Sequence, residues 1–218
     1  MTKPVLHDDQ HGTATAVLAA LINAARWTGR SLERSTVGQI GLGAAGRGIA
    51  QLLISYGAST VLVCDPADLA AARLVREGAR AVDLQTMMAS AKFVVAATGK
   101  PGLIASSMVR PGQVILALSN PIPEIAPAAA LAAGAAMAAD GSRINNALAF
   151  PGLFRGALAA WSRSIDSTML IAAARIIAAH ADEGCLVPAV LSADLHRAVA
   201  EGVRIKANSL GLAGTARP

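Results

Sequence analysis

A glycine-rich run, GLGAAG (Gly41 to Gly46), has the G-x-G-x-x-G spacing that binds the pyrophosphate of a dinucleotide. It follows an apolar strand pattern and opens a helical one, which is the context that gives this motif meaning. Gly41 permits a tight turn, Gly43 lets the backbone approach a phosphate, and Gly46 lets the helix pack closely. The N–H groups of Ala44 and Ala45 then lie at a helix N-terminus, where they favour an anion.

An acidic residue follows this run at the expected distance. Asp65 ends the next predicted strand, nineteen residues after Gly46. A carboxylate there accepts a hydrogen bond from the ribose 2′-hydroxyl and repels a 2′-phosphate, so the sequence favours NAD over NADP. Two alternatives stay open: Arg73 could reach a phosphate, and the glycines could form a turn that binds nothing.

The stretch HDDQH (His7 to His11) places two carboxylates between two histidines close to the first residue. Carboxylates such as Asp8 and Asp9 suit Mg²⁺ or Mn²⁺. A zinc site built on His7 and His11 is disfavoured because the two residues straddle a predicted helix start. The alternative to a metal site is capping, in which Asp8 or Asp9 accepts hydrogen bonds from free N–H groups of that helix.

Two further stretches carry amides at predicted strand ends or in loops. LSNP (Leu118 to Pro121) can direct the Asn120 amide into the crevice of a parallel sheet, and INNALAFPG contains Asn145 and Asn146. Such amides offer donors and acceptors to a carboxylic acid substrate. The alternative in both cases is a turn, because Asn-Pro and Asn-rich stretches commonly begin one.

The elements that must position these residues alternate between strand and helix. Continuous apolar strands separated by helical patterns predict an α/β fold, a doubly wound parallel sheet of the Rossmann type. Additional helical patterns follow at 165–181 and 192–207. We therefore predict one dinucleotide-binding domain over residues 1–207 and a flexible tail over 208–218.

Composition narrows the function classes. Hydrophobic residues make up 54% of the chain, but no charge-free apolar run reaches the length of a membrane span. The net charge of +5 is scattered, and only 3% of residues are aromatic, so we expect no nucleic-acid partner. Two distant cysteines and no recognisable signal peptide predict a cytoplasmic protein.

The stretches PVLHDDQHGTA, GLGAAG, LSNPIPE and NNALAFPGLFRGAL, in this order, resemble the NAD-binding part of the malic enzymes, particularly the bacterial type. This resemblance implies that Asp9 is a ligand of a divalent metal, Mg²⁺ or Mn²⁺, and that Asp8 is a supporting carboxylate near the catalytic lysine. It also implies that Asn120 and Asn146 bind malate or its product. The residues that the resemblance assigns to the cofactor are Thr13, Gly41, Gly43, Ala44, Ala45, Gly46, Asp65 and Asn120.

The family reaction is the oxidative decarboxylation of L-malate to pyruvate and CO₂, with a lysine as general base and a tyrosine as general acid. The family's N-terminal domain supplies those two residues, a substrate-binding arginine and two acidic metal ligands, and no stretch of this chain matches it. Neither Tyr56 nor any of the lysines (Lys3, Lys92, Lys100 and Lys206) lies in a family motif.

We therefore expect the chain to be inactive alone and to bind the metal only when the missing domain is supplied. Its expected partners are malate or pyruvate and either a second copy, as a homodimer, or a separate chain that carries the catalytic domain. Two alternatives remain: a non-catalytic NAD-binding module or truncated gene product, and a decayed fragment that folds only in part.

Overall fold

A parallel β-sheet organises the chain, which the computed structural model describes over residues 5–190 and 192–214. The strands are β1 (Thr36–Ile40), β2 (Thr60–Cys64), β3 (Arg80–Ala81), β4 (Phe93–Ala96), β5 (Val114–Ala117) and β6 (Met137–Asp140). Their order in the sheet is β3-β2-β1-β4-β5-β6, with every neighbouring pair parallel. The chain reverses direction across the sheet between β1 and β4, so a crevice is expected above the carboxyl ends of these two strands.

Helices connect the strands and close the chain. They are α1 (Thr13–Trp27), α2 (Ala44–Tyr56), α3 (Asp68–Arg76), α4 (Leu84–Ser90), α5 (Pro127–Ala132), α6 (Phe150–Ala159), α7 (Ser167–Ala179) and α8 (Ala193–Ser209). One π-helical turn, Asp8–Gly12, precedes α1, and short 3₁₀ turns lie at Leu32–Arg34, Ser106–Met108 and Asn146–Leu148. Across the described residues, no helix combines the length and the apolar character that a membrane crossing needs.

The sheet is buried on both faces, which explains why its strands are continuous apolar runs. Val37 and Phe93 belong to the core that α1, α2, α3 and the C-terminal helices cover. Val94 and Ile115 belong to a second core on the opposite face, beneath α4 and α5. The predicted doubly wound parallel sheet is thus confirmed, with β3 reduced to two residues.

The C-terminal helices pack through small residues. A Cβ at Gly152 would lie 2.5 Å from Cγ1 of Val199, and one at Gly156 would lie 2.7 Å from Cβ of Val203. Two glycines one turn apart therefore let α8 lie directly against α6. Asn23 fixes α1 to α7, because its buried side-chain amide donates to the carbonyl oxygens of Ala178 and Leu186 at 2.9 and 3.1 Å.

The last helix ends close to the predicted boundary between the domain and the tail. Helix α8 continues to Ser209, two residues past the predicted boundary at 207. Beyond it, the backbone N–H of Gly214 donates to the carbonyl oxygen of Ala160, and the N–H of Arg163 donates to that of Leu212. Residues 215–218 of the predicted tail lie outside the described residues, so the flexible tail stays a prediction.

The turn between β1 and α2 is shaped by close backbone contacts. Gly41 has φ +83°, a left-handed conformation that favours glycine, and a Cβ there would lie 2.5 Å from the carbonyl oxygen of Ala97. A Cβ at Gly46 would overlap the carbonyl oxygen of Gly41. At Gly43, by contrast, a Cβ would meet no protein atom within 4 Å. The first and last glycines are therefore required by the fold, whereas the middle one faces open space.

We expect Gly46→Ala to lower the free energy of unfolding by about 1–3 kcal/mol, because its Cβ must displace backbone rather than a flexible side chain. The matched variant Gly43→Ala should change it by less than about 0.5 kcal/mol. Urea unfolding followed by circular dichroism measures both values. Equal midpoints for the two variants would contradict the packing described above.

Candidate functional site

The Asp65 carboxylate is joined to the glycine turn. Its Oδ2 accepts a hydrogen bond of 2.6 Å from the backbone N–H of Leu42, and its Oδ1 accepts one of 2.8 Å from Ala67. Each carboxylate oxygen has further acceptor capacity, which a ribose hydroxyl can use. The structure thus brings together the end of β1, where the sequence predicts the pyrophosphate, and the end of β2, where it predicts the ribose.

Two carboxylates, Asp65 and Asp83, lie near the carboxyl end of β2. Burial raises the pKa of the Cys64 thiol, and the neighbouring carboxylates of Asp65 and Asp83 raise it further. Arg73, the residue that could reach a phosphate, instead donates from Nε to Oε1 of Glu77 at 3.1 Å on the exposed side of α3. The carboxyl ends of β2 and β3 therefore disfavour an additional phosphate group.

A buried amide lies under the glycine turn, and sequence reasoning missed it. Gln39 on β1 is fully buried, and its Nε2 donates to the carbonyl oxygens of Ile40 and Gly41, each at 3.0 Å. These bonds fix the direction in which the turn leaves the strand. A glutamine within an otherwise apolar strand pattern was the signal that could have revealed it.

The π-helical turn Asp8–Gly12, here called the N-terminal turn, carries a carboxylate that contacts an amide distant in sequence. The Nδ2 of Asn146 donates to Oδ2 of Asp8 at 2.7 Å, while Oδ1 of Asp8 is buried without a hydrogen-bond partner. Burial and the neighbouring Asp9 raise the pKa of Asp8 above its ordinary value, against the hydrogen bond from Asn146. Asp8 and Asn146, both assigned to the site by resemblance, are thus in direct contact.

The capping interpretation of HDDQH is wrong. Asp8 and Asp9 lie inside the π-helical turn rather than before it, and no side-chain hydrogen bond caps either this turn or α1. The zinc alternative also loses support, because Nδ1 of His11 accepts a hydrogen bond of 2.9 Å from the backbone N–H of His7. Burial lowers the pKa of His11 below its ordinary value, which agrees with a neutral ring.

The N-terminal turn lies beside α2, the helix that follows the glycine turn. A Cβ at Gly48 on α2 would lie 2.8 Å from the carbonyl oxygen of Gln10. Thr13 follows as the first residue of α1 and is half-buried, while the Asp9 side chain is exposed. Among the side chains that the structure describes, no group of three or more from His, Cys, Asp or Glu could hold a metal ion.

The predicted amides lie in two different settings. Asn120 follows β5, is exposed, and forms a cis peptide bond with Pro121. Its side-chain Nδ2 lies 2.7 Å from the point where a Cβ at Gly141 would be, so it extends over the end of β6. Asn145 makes a turn, because its Oδ1 accepts from the N–H of Ala147 at 3.0 Å. The turn alternative is therefore confirmed for Asn145.

A second polar residue that the sequence did not reveal is Glu124, in the stretch LSNPIPE. Its side chain is fully buried, and Oε1 accepts from the backbone N–H and the hydroxyl of Thr98 at 2.7 and 2.8 Å. Oε1 also accepts from the Ser119 hydroxyl at 2.6 Å, and Oε2 accepts from the Ser119 N–H at 3.2 Å. Burial alone would raise the pKa of Glu124, but the hydrogen bonds from Ser119 and Thr98 outweigh it and hold the pKa below its ordinary value.

The tyrosine lies far from the crevice. Tyr56 ends α2, which begins at the glycine turn, so the length of the helix separates the two by about 18 Å. Lys92 precedes β4 and is therefore at the opposite edge of the sheet, while Lys100 follows β4 with an exposed side chain. Lys206 lies on α8, and Lys3 is outside the described residues.

Comparison with known sequences identifies relatives of this chain. Residues 9–100 match the sequence family described as the NAD binding domain of D-isomer specific 2-hydroxyacid dehydrogenase. NAD-dependent malic enzyme 1 of Bacillus subtilis is 53% identical over 201 residues, which cover 92% of this chain and 46% of that protein. The NADP-dependent malic enzyme of Escherichia coli is 33% identical over 213 residues, which cover 86% of this chain and 28% of that protein.

Malic enzymes are also found among the solved structures that share this fold. A crystal structure of malic enzyme from Pyrococcus horikoshii superposes with a TM-score of 0.89 at 30% identity, covering 100% of this chain and 58% of that chain. The chain thus spans 46%, 28% and 58% of the lengths of these three relatives. Sequence and fold therefore agree that the chain is homologous to the bacterial malic enzymes over their NAD-binding region.

Proposed function

We propose that this chain is the NAD-binding domain of a malate oxidoreductase, which converts L-malate to pyruvate and CO₂. The observation that carries the proposal is the junction of Asp65 with the glycine turn, next to the open face of Gly43. A pyrophosphate can approach the turn at Gly43 and meet the N–H groups of Ala44 and Ala45 at the start of α2. The adenosine ribose then lies over the carboxyl end of β2.

NAD is the proposed cofactor rather than NADP. The negative charges of Asp65 and Asp83 oppose a 2′-phosphate, and Arg73 is paired with Glu77. The relative with 53% identity is named NAD-dependent, while a more distant one is named NADP-dependent. Charge at the end of β2 is therefore the physical basis for the preference.

Substrate binding is assigned to the amides. Asn146 can donate to a substrate oxygen through the Nδ2 hydrogen that does not bond to Asp8. Asn120, exposed after β5, can contact both the substrate and the nicotinamide half of the cofactor. Asp8 supports Asn146 by fixing its amide, and Thr13 at the start of α1 contacts the cofactor.

A divalent metal, Mg²⁺ or Mn²⁺, belongs to the proposed whole enzyme, with Asp9 as one ligand. The residues described here do not form such a site, because the Asp9 carboxylate is exposed and no cluster of three ligating side chains exists in the described ranges. Mg²⁺ in proteins requires several oxygen ligands in a near-octahedral arrangement. We assign the remaining ligands, the general base and the general acid to another polypeptide segment.

We propose the cytoplasm as the location of the chain. In the absence of a catalytic domain, we propose that the chain associates with a second copy of itself. Phe154 and Leu158 on α6, and Trp161 two residues after the helix ends, are 46%, 56% and 57% exposed. The Phe150 ring stacks on that of Phe154 with the ring centres 5.8 Å apart. An apolar stripe of this kind favours association because burying it removes apolar surface from water.

The cofactor assignment predicts the behaviour of Asp65→Asn. We expect this variant to bind NAD about 10- to 100-fold more weakly, because it loses a charge-assisted hydrogen bond to the ribose. NADP should lose less affinity, because the repulsion of its 2′-phosphate is removed. Calorimetric titration with both cofactors measures this, and Asp182→Asn, an exposed aspartate elsewhere, is the matched control. An unchanged NAD affinity would remove Asp65 from the ribose site.

Because we assign the catalytic groups to another polypeptide segment, we predict that the chain alone does not oxidise malate. Incubated with malate, Mn²⁺ and NAD, it should form no NADH, because neither Tyr56 nor any lysine of the chain lies in a family motif. Addition of a polypeptide with the catalytic half of a malic enzyme should restore NADH formation. Turnover by the chain alone would contradict the proposed division. Saturable NAD binding without turnover in either mixture would favour a non-catalytic NAD-binding module.

The exposed stripe on α6 predicts concentration-dependent dimerisation. Leu158→Glu should give a monomer across the whole concentration range in analytical ultracentrifugation, because a charge in the interface would be buried without a partner. Leu69→Glu is the matched control, since Leu69 is 89% exposed on α3 and far along the sequence from the stripe. A wild-type chain that remains monomeric at high concentration would contradict the homodimer.

A further inference from the structure

Glu124 combines complete burial with full hydrogen bonding to neutral groups. Four hydrogen bonds reach its carboxylate, all from Thr98 and Ser119, and its side chain takes part in none of the ion pairs among the described residues. Taking a carboxylate out of water is costly unless hydrogen bonds satisfy its oxygens. A buried charge of this kind needs an explanation, because a well-packed apolar side chain would fill the same space at lower cost.

The partners of Glu124 belong to two loops at the carboxyl edge of the sheet. Thr98 follows β4, and Ser119 follows β5 and immediately precedes Asn120. A further hydrogen bond of 2.8 Å runs from the N–H of Gly99 to the Ser119 hydroxyl, so the two loops are also tied directly. Glu124 thus fixes the distance between the ends of two neighbouring strands.

These two strands lie on the far side of the switch point from Asp65. In the sheet order, β1 and β2 carry the glycine turn and Asp65, whereas β4 and β5 lie beyond the point where the chain reverses. A dinucleotide spans such a crevice with one nucleotide on each side. With the adenosine half over β2, the nicotinamide half lies over the loops that Glu124 joins.

We propose that Glu124 is a positioning residue for the nicotinamide half of the cofactor, acting through Thr98, Gly99 and Asn120. The proposal rests on the NAD binding proposed above. Glu124 does not touch the cofactor; its carboxylate holds the Thr98–Gly99 loop and the Ser119–Asn120 loop in one fixed arrangement. The depressed pKa of Glu124 agrees with this role, because the ionised carboxylate is an acceptor at both oxygens and can accept from all four donors.

The variant Glu124→Gln tests the role with almost no change in volume. Each position of the new amide N–H₂ faces a donor of Thr98 or Ser119, so at least one hydrogen bond is lost and the two loops separate. Affinity is measured by calorimetry for two ligands: NAD, which has both halves, and ADP, which has only adenosine and pyrophosphate. Glu183→Gln, with an exposed side chain, is the matched control.

We expect Glu124→Gln to bind NAD about tenfold more weakly while its affinity for ADP changes less than about twofold. Equal losses for NAD and ADP would reduce Glu124 to a general structural role, and an unchanged NAD affinity would also overturn the proposal. Should Glu124→Gln not fold, Ser119→Ala gives the same test, since it removes one donor to Glu124 and the acceptor for the Gly99 N–H. Failure of the wild-type chain to bind ADP would instead overturn the proposed function.

Discussion

The close approach of α2 to the end of β1 is the constraint on which the rest of the structure depends. Only a residue without a Cβ at position 46 lets the first turn of the helix lie against the carbonyl oxygen of Gly41. This contact directs the N–H groups at the start of α2 into the crevice above the sheet, where they can meet an anion. The same helix supports the N-terminal turn at Gly48, so two parts of the site share one support.

Polar side chains at the carboxyl edge of the sheet convert this packing into a defined site. Gln39 fixes the glycine turn from below, Asp65 joins it to β2, and Glu124 joins the loops after β4 and β5. Parallel strands leave backbone groups unpaired where they end, and these side chains satisfy some of them. Each of the three thus has a double effect, since it lowers the cost of burying backbone and determines where a ligand can lie.

The sequence predicted the fold well because the strands, helices and glycines are local patterns. The strand–turn–helix around GLGAAG and the acid at Asp65 both follow from periodicity and spacing within thirty residues. The contacts of Asp8 with Asn146 and of Glu124 with Thr98 could not be predicted, because they join residues 138 and 26 positions apart. The interpretation of Asp8 and Asp9 as helix caps was wrong for a related reason: the chain makes a π-helical turn there, which the cap pattern does not indicate.

The central claim is that this fold, by itself, forms a working site for NAD. Calorimetric titration of the folded chain with NAD, repeated with NADP, tests it most directly. The structure predicts saturable binding of one NAD per chain and binding of NADP that is about tenfold weaker or more, because Asp65 opposes the additional phosphate. A chain that unfolds cooperatively, and so is folded, but shows no saturable heat with either cofactor would contradict the claim.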